Sequence, residues 1–264
     1  MRIATWNINS IRTRVDRVVA FLERENIDVL ALQETKCKDE QFPLMPIEAA
    51  GYEVVAHGLN QWNGVAVVSR LPILNTQVGF PGQPGFPDPE NLEARALGVT
   101  VEGSSGTPVT NWSLYVPNGR EIDNPHYAYK LAWLDALANY SGERLRENPE
   151  LQMTLMGDWN IAPLDTDVWD IDFFAGRTHV TQPERDAFAK FADEGFKEVT
   201  RDLVDNYTYW DYQQLRFPKN EGMRIDYIYA SPALASRVQS AAIDRNERKG
   251  KGPSDHVPVI IEVD

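Results

Sequence analysis

Arg2-Ile3-Ala4-Thr5-Trp6-Asn7 and Asp28-Val29-Leu30-Ala31-Leu32-Gln33-Glu34 frame the stretch that decides the fold, because a different periodicity lies between them. Both runs are short, apolar and β-compatible, so they read as strands. From Thr13 to Asn26, Val15, Val18, Val19 and Leu22 recur at helical spacing, with Arg14, Asp16, Arg17 and Glu23 on the other side. That is the pattern of an amphipathic helix. A strand, a helix and a strand within the first 34 residues each have an apolar face to bury on a neighbour, which predicts an α/β layered architecture.

Further strands are expected at 52–56, 64–69, 96–101, 109–116, 151–157, 225–230 and 257–263, several of them Val-rich and bounded by Gly or Pro. Helical patterns return at 127–146 and 184–194. The Pro- and Gly-rich segment 80–93 and the stretch after Asn160 read as surface loops. Neither looks like an interdomain linker, so residues 1–264 are expected to form one domain. Thr5-Trp6-Asn7 and Asp158-Trp159-Asn160 both put Trp-Asn at the end of an apolar strand. The echo suits two similar halves whose strand ends converge on one site.

With 42% hydrophobic and 10% aromatic residues, the chain lies far from the composition of disorder. No run reaches the length of a membrane span, and no leader-like succession precedes the first strand, so no membrane association is expected. The single cysteine, Cys37, has no Cys/His cluster around it and is given no role; a reducing, cytoplasmic location is expected. A net charge of −13 argues against non-specific affinity for nucleic acid, but binding depends on the field at one face and not on the average.

Acidic and amide residues are depleted in strands, so their presence at strand ends needs a reason. Five places show it: Trp6-Asn7-Ile8-Asn9, Leu32-Gln33-Glu34-Thr35, Met156-Gly157-Asp158-Trp159-Asn160, Arg224-Ile225-Asp226-Tyr227 and Pro253-Ser254-Asp255-His256. Any one alone is most simply a turn former or helix cap. Together, Glu34, Asp158 and Asp255 offer oxygen ligands to a hard cation such as Mg²⁺, and Asn7 and Asn160 are amides that could hold an anionic phosphate or an attacking water. That combination suits phosphoryl transfer.

These motifs, with Leu32-Gln33-Glu34-Thr35-Lys36, Tyr115-Val116-Pro117-Asn118 and Ser254-Asp255-His256, resemble in the same order those of the exonuclease III-type abasic endonucleases of the endonuclease/exonuclease/phosphatase superfamily. The match spans nearly the whole chain. The resemblance implies a four-layer α/β sandwich, two mixed sheets face to face with helices outside. It implies Glu34 as principal ligand of Mg²⁺, which Mn²⁺ could replace, with Asn7, Asp158, Asn160 and Asp255 close to the metal. It further implies Asp158 as the group that positions or deprotonates water, Asn160 as a transition-state donor, Tyr115 as a phosphate-side phenol, and Asp226 with His256 as a pair beside the scissile phosphate. Asp158 is the favoured base, with the Asp226 and His256 pair the alternative.

The substrate implied is duplex DNA with abasic sites or blocked 3′ ends, cut 5′ to the lesion, with 3′-to-5′ exonuclease action by a monomer. Tyr209, Met223 and Ile225 fall on the family's abasic-sugar pocket, and Asn118 on its substrate side. Tyr209 and Trp210 could equally be core aromatics. Arg12, Arg14, Arg17, Lys36, Lys38, Arg245, Arg248, Lys249 and Lys251 flank the acidic motifs and predict a positive rim on an acidic protein. A phosphatase acting on inositol or lipid phosphates, and a non-catalytic DNA-end binding module, are the competing readings. Hydrolysis of those phosphates with abasic DNA left intact, or DNA retention without turnover, would distinguish them.

Overall fold

A computed structural model describes residues 1–103 and 106–264. Among them run twelve strands: β1 (Arg2–Asn7), β2 (Val29–Gln33), β3 (Glu53–His57), β4 (Val65–Ser69), β5 (Ile73–Val78), β6 (Ala96–Glu102), β7 (Pro108–Tyr115), β8 (Met153–Asp158), β9 (Lys197–Glu198), β10 (Asp226–Ala230), β11 (Val238–Ile243) and β12 (Val259–Val263). The α-helices are α1 (Val15–Arg24), α2 (Leu44–Ala49), α3 (Pro125–Glu147), α4 (Gln182–Asp193), α5 (Arg216–Lys219) and α6 (Pro232–Ala235). None is long and apolar enough to cross a membrane.

The strands form two six-stranded sheets, in the orders β11-β12-β1-β2-β4-β3 and β5-β6-β7-β8-β10-β9. Each sheet has a parallel pair at its centre, β1 with β2 and β7 with β8, flanked by antiparallel neighbours. A tight turn cannot join parallel strands, so a helix makes each crossover, α1 in the first pair and α3 in the second.

Ile3, Val29, Val67 and Ile261 of the first sheet pack between the sheets against Leu97, Val99, Met156 and Ile228 of the second. Ala4, Trp6, Leu30 and Val68, on the first sheet's outer face, meet Val18, Phe21 and Leu22 of α1. Trp112, Leu155 and Tyr229 likewise meet Trp133 and Leu137 of α3 and Phe188 and Phe191 of α4. The layers therefore run helix, sheet, sheet, helix. Because β2, β4, β8 and β10 are covered on both faces, every residue in them is buried, and their sequences read as continuous apolar runs instead of alternating ones. Removing one of the large outer-core side chains, as in Phe191→Ala, should cost about 3–5 kcal/mol.

Three strands and three helices lie outside the sequence expectations. β5 and β11 are sheet edges with exposed positions and no apolar run. β9 has two residues, and α2, α5 and α6 have six, four and four, too few to show a period. The repeated Trp-Asn also needs correction. In matching strand orders β1 takes the place of β7, and β2 that of β8. Trp6-Asn7 thus ends the first strand of its pair, whereas Trp159-Asn160 follows the second, so the echo does not mark equivalent positions. Cys37 is buried in the core under α1, and burial pushes its thiol up, keeping it protonated.

Candidate active site

Both central parallel pairs end on the same side of the sandwich, where an open α/β sheet characteristically holds its ligand. β1 delivers Asn7, and β2 delivers Glu34 one residue past its end. β7 ends on Tyr115 and β8 on Asp158, directly opposite each other in register. A Cβ at residue 157 would lie 1.9 Å from the Leu114 carbonyl oxygen, so only glycine lets β8 come close enough to β7 to place Asp158 there.

Asn7 joins the two sheets. Its Nδ2 donates to Glu34 Oε1 at 2.8 Å and to Asp158 Oδ2 at 2.9 Å. The two carboxylates live in opposed environments. Burial works against charge on Glu34, but Lys36, 2.7 Å from Oε2, and the Asn7 amide outweigh it and hold the carboxyl below its usual range. Burial pushes Asp158 up to about 7, with Asp226 and Glu34 adding to the rise and His256 opposing it. One carboxylate is thus held as an anion and the other poised to exchange a proton near neutrality.

His256 Nδ1 lies 2.8 Å from Asp226 Oδ2, and its Nε2 lies 3.7 Å from Asp158 Oδ2. Burial alone would lower the imidazole; Asp226 and Asp158 reverse this and raise it to about 10, so the ring is cationic at neutral pH. Trp6 Nε1 donates to the His256 carbonyl at 3.1 Å and fixes the segment from the core side. Asp255 does not join this group. It accepts from Asn9 Nδ2 at 3.0 Å. Among the described residues, the histidine, cysteine and carboxylate side chains whose ligand atoms lie within 4.8 Å of one another, as a metal centre needs, are Glu34, Asp158 and His256.

On the other wall Asn118 Nδ2 donates to Asn160 Oδ1 at 3.1 Å, and Asn160 Nδ2 donates to the Val116 carbonyl at 3.0 Å. His179, which the sequence gave no reason to single out, places Nε2 3.1 Å from the same Asn160 Oδ1. Burial and the nearby Lys130 cation lower its imidazole to about 3, so it stays neutral. Burial, then Glu34, push the Tyr115 phenol well up and keep it protonated. The Arg95 guanidinium covers the Tyr115 ring 4.8 Å from its centre.

A cavity of about 220 Å³ gathers Glu34, Tyr115, Asn118, Asp158, Asn160, Asp255 and His256 with Tyr209, Met223 and Ile225. The Tyr209 ring lies 5.0 Å from that of His256. Asn7 and Asp226 complete the constellation from behind, so all the site residues proposed from sequence come together. Trp210 separates from its neighbour: it is fully buried against Phe217 and belongs to the core. Glu34 and Asn160 both have φ of 51°, a left-handed conformation that ordinary side chains avoid, so the site carries backbone strain.

The cationic rim is where sequence and structure part most clearly. Arg17 pairs with Glu247 at 2.9 Å and donates to the Lys249 and Lys251 carbonyls. Arg248 is buried, donates to the Trp210 carbonyl and covers the Tyr212 ring. Arg245 lies over Phe217, Arg14 donates to the Asn9 and Gly252 carbonyls, and Lys36 belongs to Glu34. Arg14 and Arg17 thus fasten the loop 245–252 to the start of α1, Arg245 and Arg248 tie it to the 210–217 segment, and Lys36 stays with Glu34, so these cations do not line a free rim. Proximity in sequence to the acidic motifs was real, but carbonyls and carboxylates had the prior claim. Arg12, Lys38, Lys249 and Lys251 are exposed, as are Arg120 and Arg177, which line a groove running past Asn118 and His179.

The sequence pattern of the Endonuclease/Exonuclease/phosphatase family matches residues 4–256. The chain belongs to that family. It is 31% identical to the exodeoxyribonuclease III of Haemophilus influenzae, the match covering 99% of each chain. Its fold superposes on a 3′ phosphatase from Neisseria bound to a product DNA hairpin with a TM-score of 0.91, at 33% identity over 100% of this chain and 99% of that one. An AP endonuclease from Archaeoglobus fulgidus gives 0.90, at 32% identity over the same shares. This member of the endonuclease/exonuclease/phosphatase family is accordingly a hydrolase of the exonuclease III and AP endonuclease type.

Proposed function

We propose that the enzyme is a Mg²⁺-dependent DNA phosphodiesterase that cuts 5′ to abasic sites and trims 3′ ends. The observation that carries this reading is the opposed pair of carboxylates joined by Asn7: Glu34 held anionic and Asp158 raised to about 7. A hard divalent cation takes carboxylate oxygens, water and substrate phosphate oxygens, and Glu34 and Asp158 fit that demand. His256 fits it poorly, because a ring kept cationic by Asp226 has no lone pair to give. The bound cation would supply charge neutralisation at the phosphoryl and leaving oxygens.

The side chains account for the rest. Asp158 takes the proton of a water that attacks phosphorus in line; the bond from phosphorus to the 3′ oxygen breaks and that oxygen takes a proton from solvent, leaving a 3′ hydroxyl and a 5′ phosphate-bearing end. Asn160 and Tyr115 donate hydrogen bonds to the charge that develops on the phosphoryl oxygens. Cationic His256, held by Asp226, stabilises the same charge from the opposite wall. Asp255 orders Asn9 at the cavity mouth, and Asn118 steadies Asn160 on the substrate side.

DNA as substrate is supported by the relatives, named for exonuclease and AP endonuclease action or bound to a DNA hairpin. The apolar walls Tyr209, Met223 and Ile225 suit an extruded sugar without a base. We propose further that residues 1–264 act as one domain and as a monomer in the cytoplasm. Relatives of both kinds are equally similar, so 3′-phosphate removal is the second reading. Duplexes carrying one tetrahydrofuran site or one 3′-phosphate, incubated with Mg²⁺ or with EDTA, decide between them. A Mg²⁺-dependent nick 5′ to the tetrahydrofuran is expected; release of phosphate without that nick would replace abasic incision by 3′-end cleaning.

A further inference from the structure

Lys130 of α3 and Glu184 of α4 form an ion pair at 2.5 Å, and neither side chain is exposed. Phosphodiester cleavage has no direct use for it, and burying a charged pair generally stabilises a fold no better than apolar side chains of the same volume. The destination of its hydrogen bonds is therefore informative. Lys130 Nζ donates to Glu184, to the Asn160 carbonyl at 2.6 Å and to the Asn118 carbonyl at 3.2 Å, using its three protons. Glu184 accepts from Thr178 Oγ1 at 2.6 Å and from Thr181 N and Oγ1 at 3.2 and 2.8 Å, on both sides of His179. One buried pair thus ties together three stretches of two loops, residue 118 after β7 and residues 160 and 178–181 at the two ends of the β8–α4 connection.

Those loops carry the side chains that meet above it: Asn118, Asn160 and His179. Asn160 at φ 51° and His179 at φ 83° are both left-handed, a conformation that persists only where the surroundings enforce it. We infer that Lys130 and Glu184 are positioning residues, whose ion pair sets the Asn118 and Asn160 amides in register for the phosphoryl group. The inference rests on the proposed phosphodiesterase reading and adds a requirement to it: turnover depends on a buried pair that itself touches no substrate.

The test is the double variant Lys130→Met with Glu184→Leu, apolar replacements of similar shape, measured by thermal melting and by steady-state kinetics on the duplex that the wild-type enzyme cleaves. The expected result is a cooperative melt at a lowered temperature, because the Asn118 and Asn160 carbonyls and Thr181 N lose their partners, with kcat reduced about 100-fold and KM changed less than about threefold. Wild-type kcat in the folded double variant overturns the inference, as does a fall confined to KM. Should the double variant fail to fold, Glu184→Gln decides: a severalfold loss of kcat at constant KM supports the positioning role, and unchanged kcat ends it. If the wild-type enzyme cleaves no DNA with Mg²⁺, the phosphodiesterase reading itself has failed, an outcome separate from these and one that removes this inference with it.

Discussion

The units β1-α1-β2 and β7-α3-β8 occupy the same place in their sheets, and each ends in one carboxylate and one neutral hydrogen-bonding side chain. The first gives Asn7 and Glu34, the second Tyr115 and Asp158. What differs is the surroundings. Glu34 has Lys36 at 2.7 Å and stays charged; Asp158 is enclosed by the second sheet, with Asp226 opposite it in register, and holds a proton more tightly. The same architecture, used twice, thus separates charge holding from proton exchange through neighbours and burial alone. The helices differ too. α1, of ten residues, covers its sheet, whereas α3, of twenty-three, also sends Lys130 beneath the site loops.

The harshest way to break the comparison is Asp158→Asn, which removes the proton-exchanging member. Cleavage of an abasic duplex should fall about 10³- to 10⁴-fold with binding largely preserved, and a near wild-type rate would show that Asp158 is not the base. Asn7→Ala cuts the link between the two units; a loss of about 100-fold in kcat is expected from single-turnover measurements. Glu34→Gln removes the charge-holding member and should raise the Mg²⁺ concentration for half-maximal rate about 10- to 100-fold, so an unchanged titration would count against its ligand role.

A pH profile sharpens the comparison without mutation. Asp158 is raised to about 7, so below that pH the base is protonated and idle, and above it free. A Mg²⁺ ion held at Asp158 would draw that value down, so log kcat/KM should climb with pH and level off at or below about 7, earlier as Mg²⁺ is raised. An aspartate in its ordinary range, near ~3.9, would give no such limb between pH 5 and 7. The smallest effect concerns the cations. Arg177→Ala, in the groove beside the second unit, should lower the salt slope of DNA binding by about 1, while Arg17→Ala, at the first, should leave that slope alone and lower the melting temperature. Equal slopes for both would mean that neither meets phosphate.

The amino-acid sequence by itself determined the layered fold and singled out the polar strand-end residues as candidates for a site. Buried strands are mainly apolar, so the acidic, amide and imidazole side chains at their ends, Asn7, Glu34, Asp158, Asp226 and Asp255-His256, stand out against them. Edge strands such as β5 and β11 escaped because half-exposed backbone pairing imposes no apolar run. Only the tertiary structure decided which partner each charge takes. Arg17 and Arg248 went to carboxylate and carbonyl groups contributed by distant segments, Trp210 to the core, and His179 and Lys130 to the amide wall. The physical reason is that a charge's state follows its neighbours within a few ångströms and its access to water, and those neighbours can be distant in sequence, as Arg17 and Glu247 are.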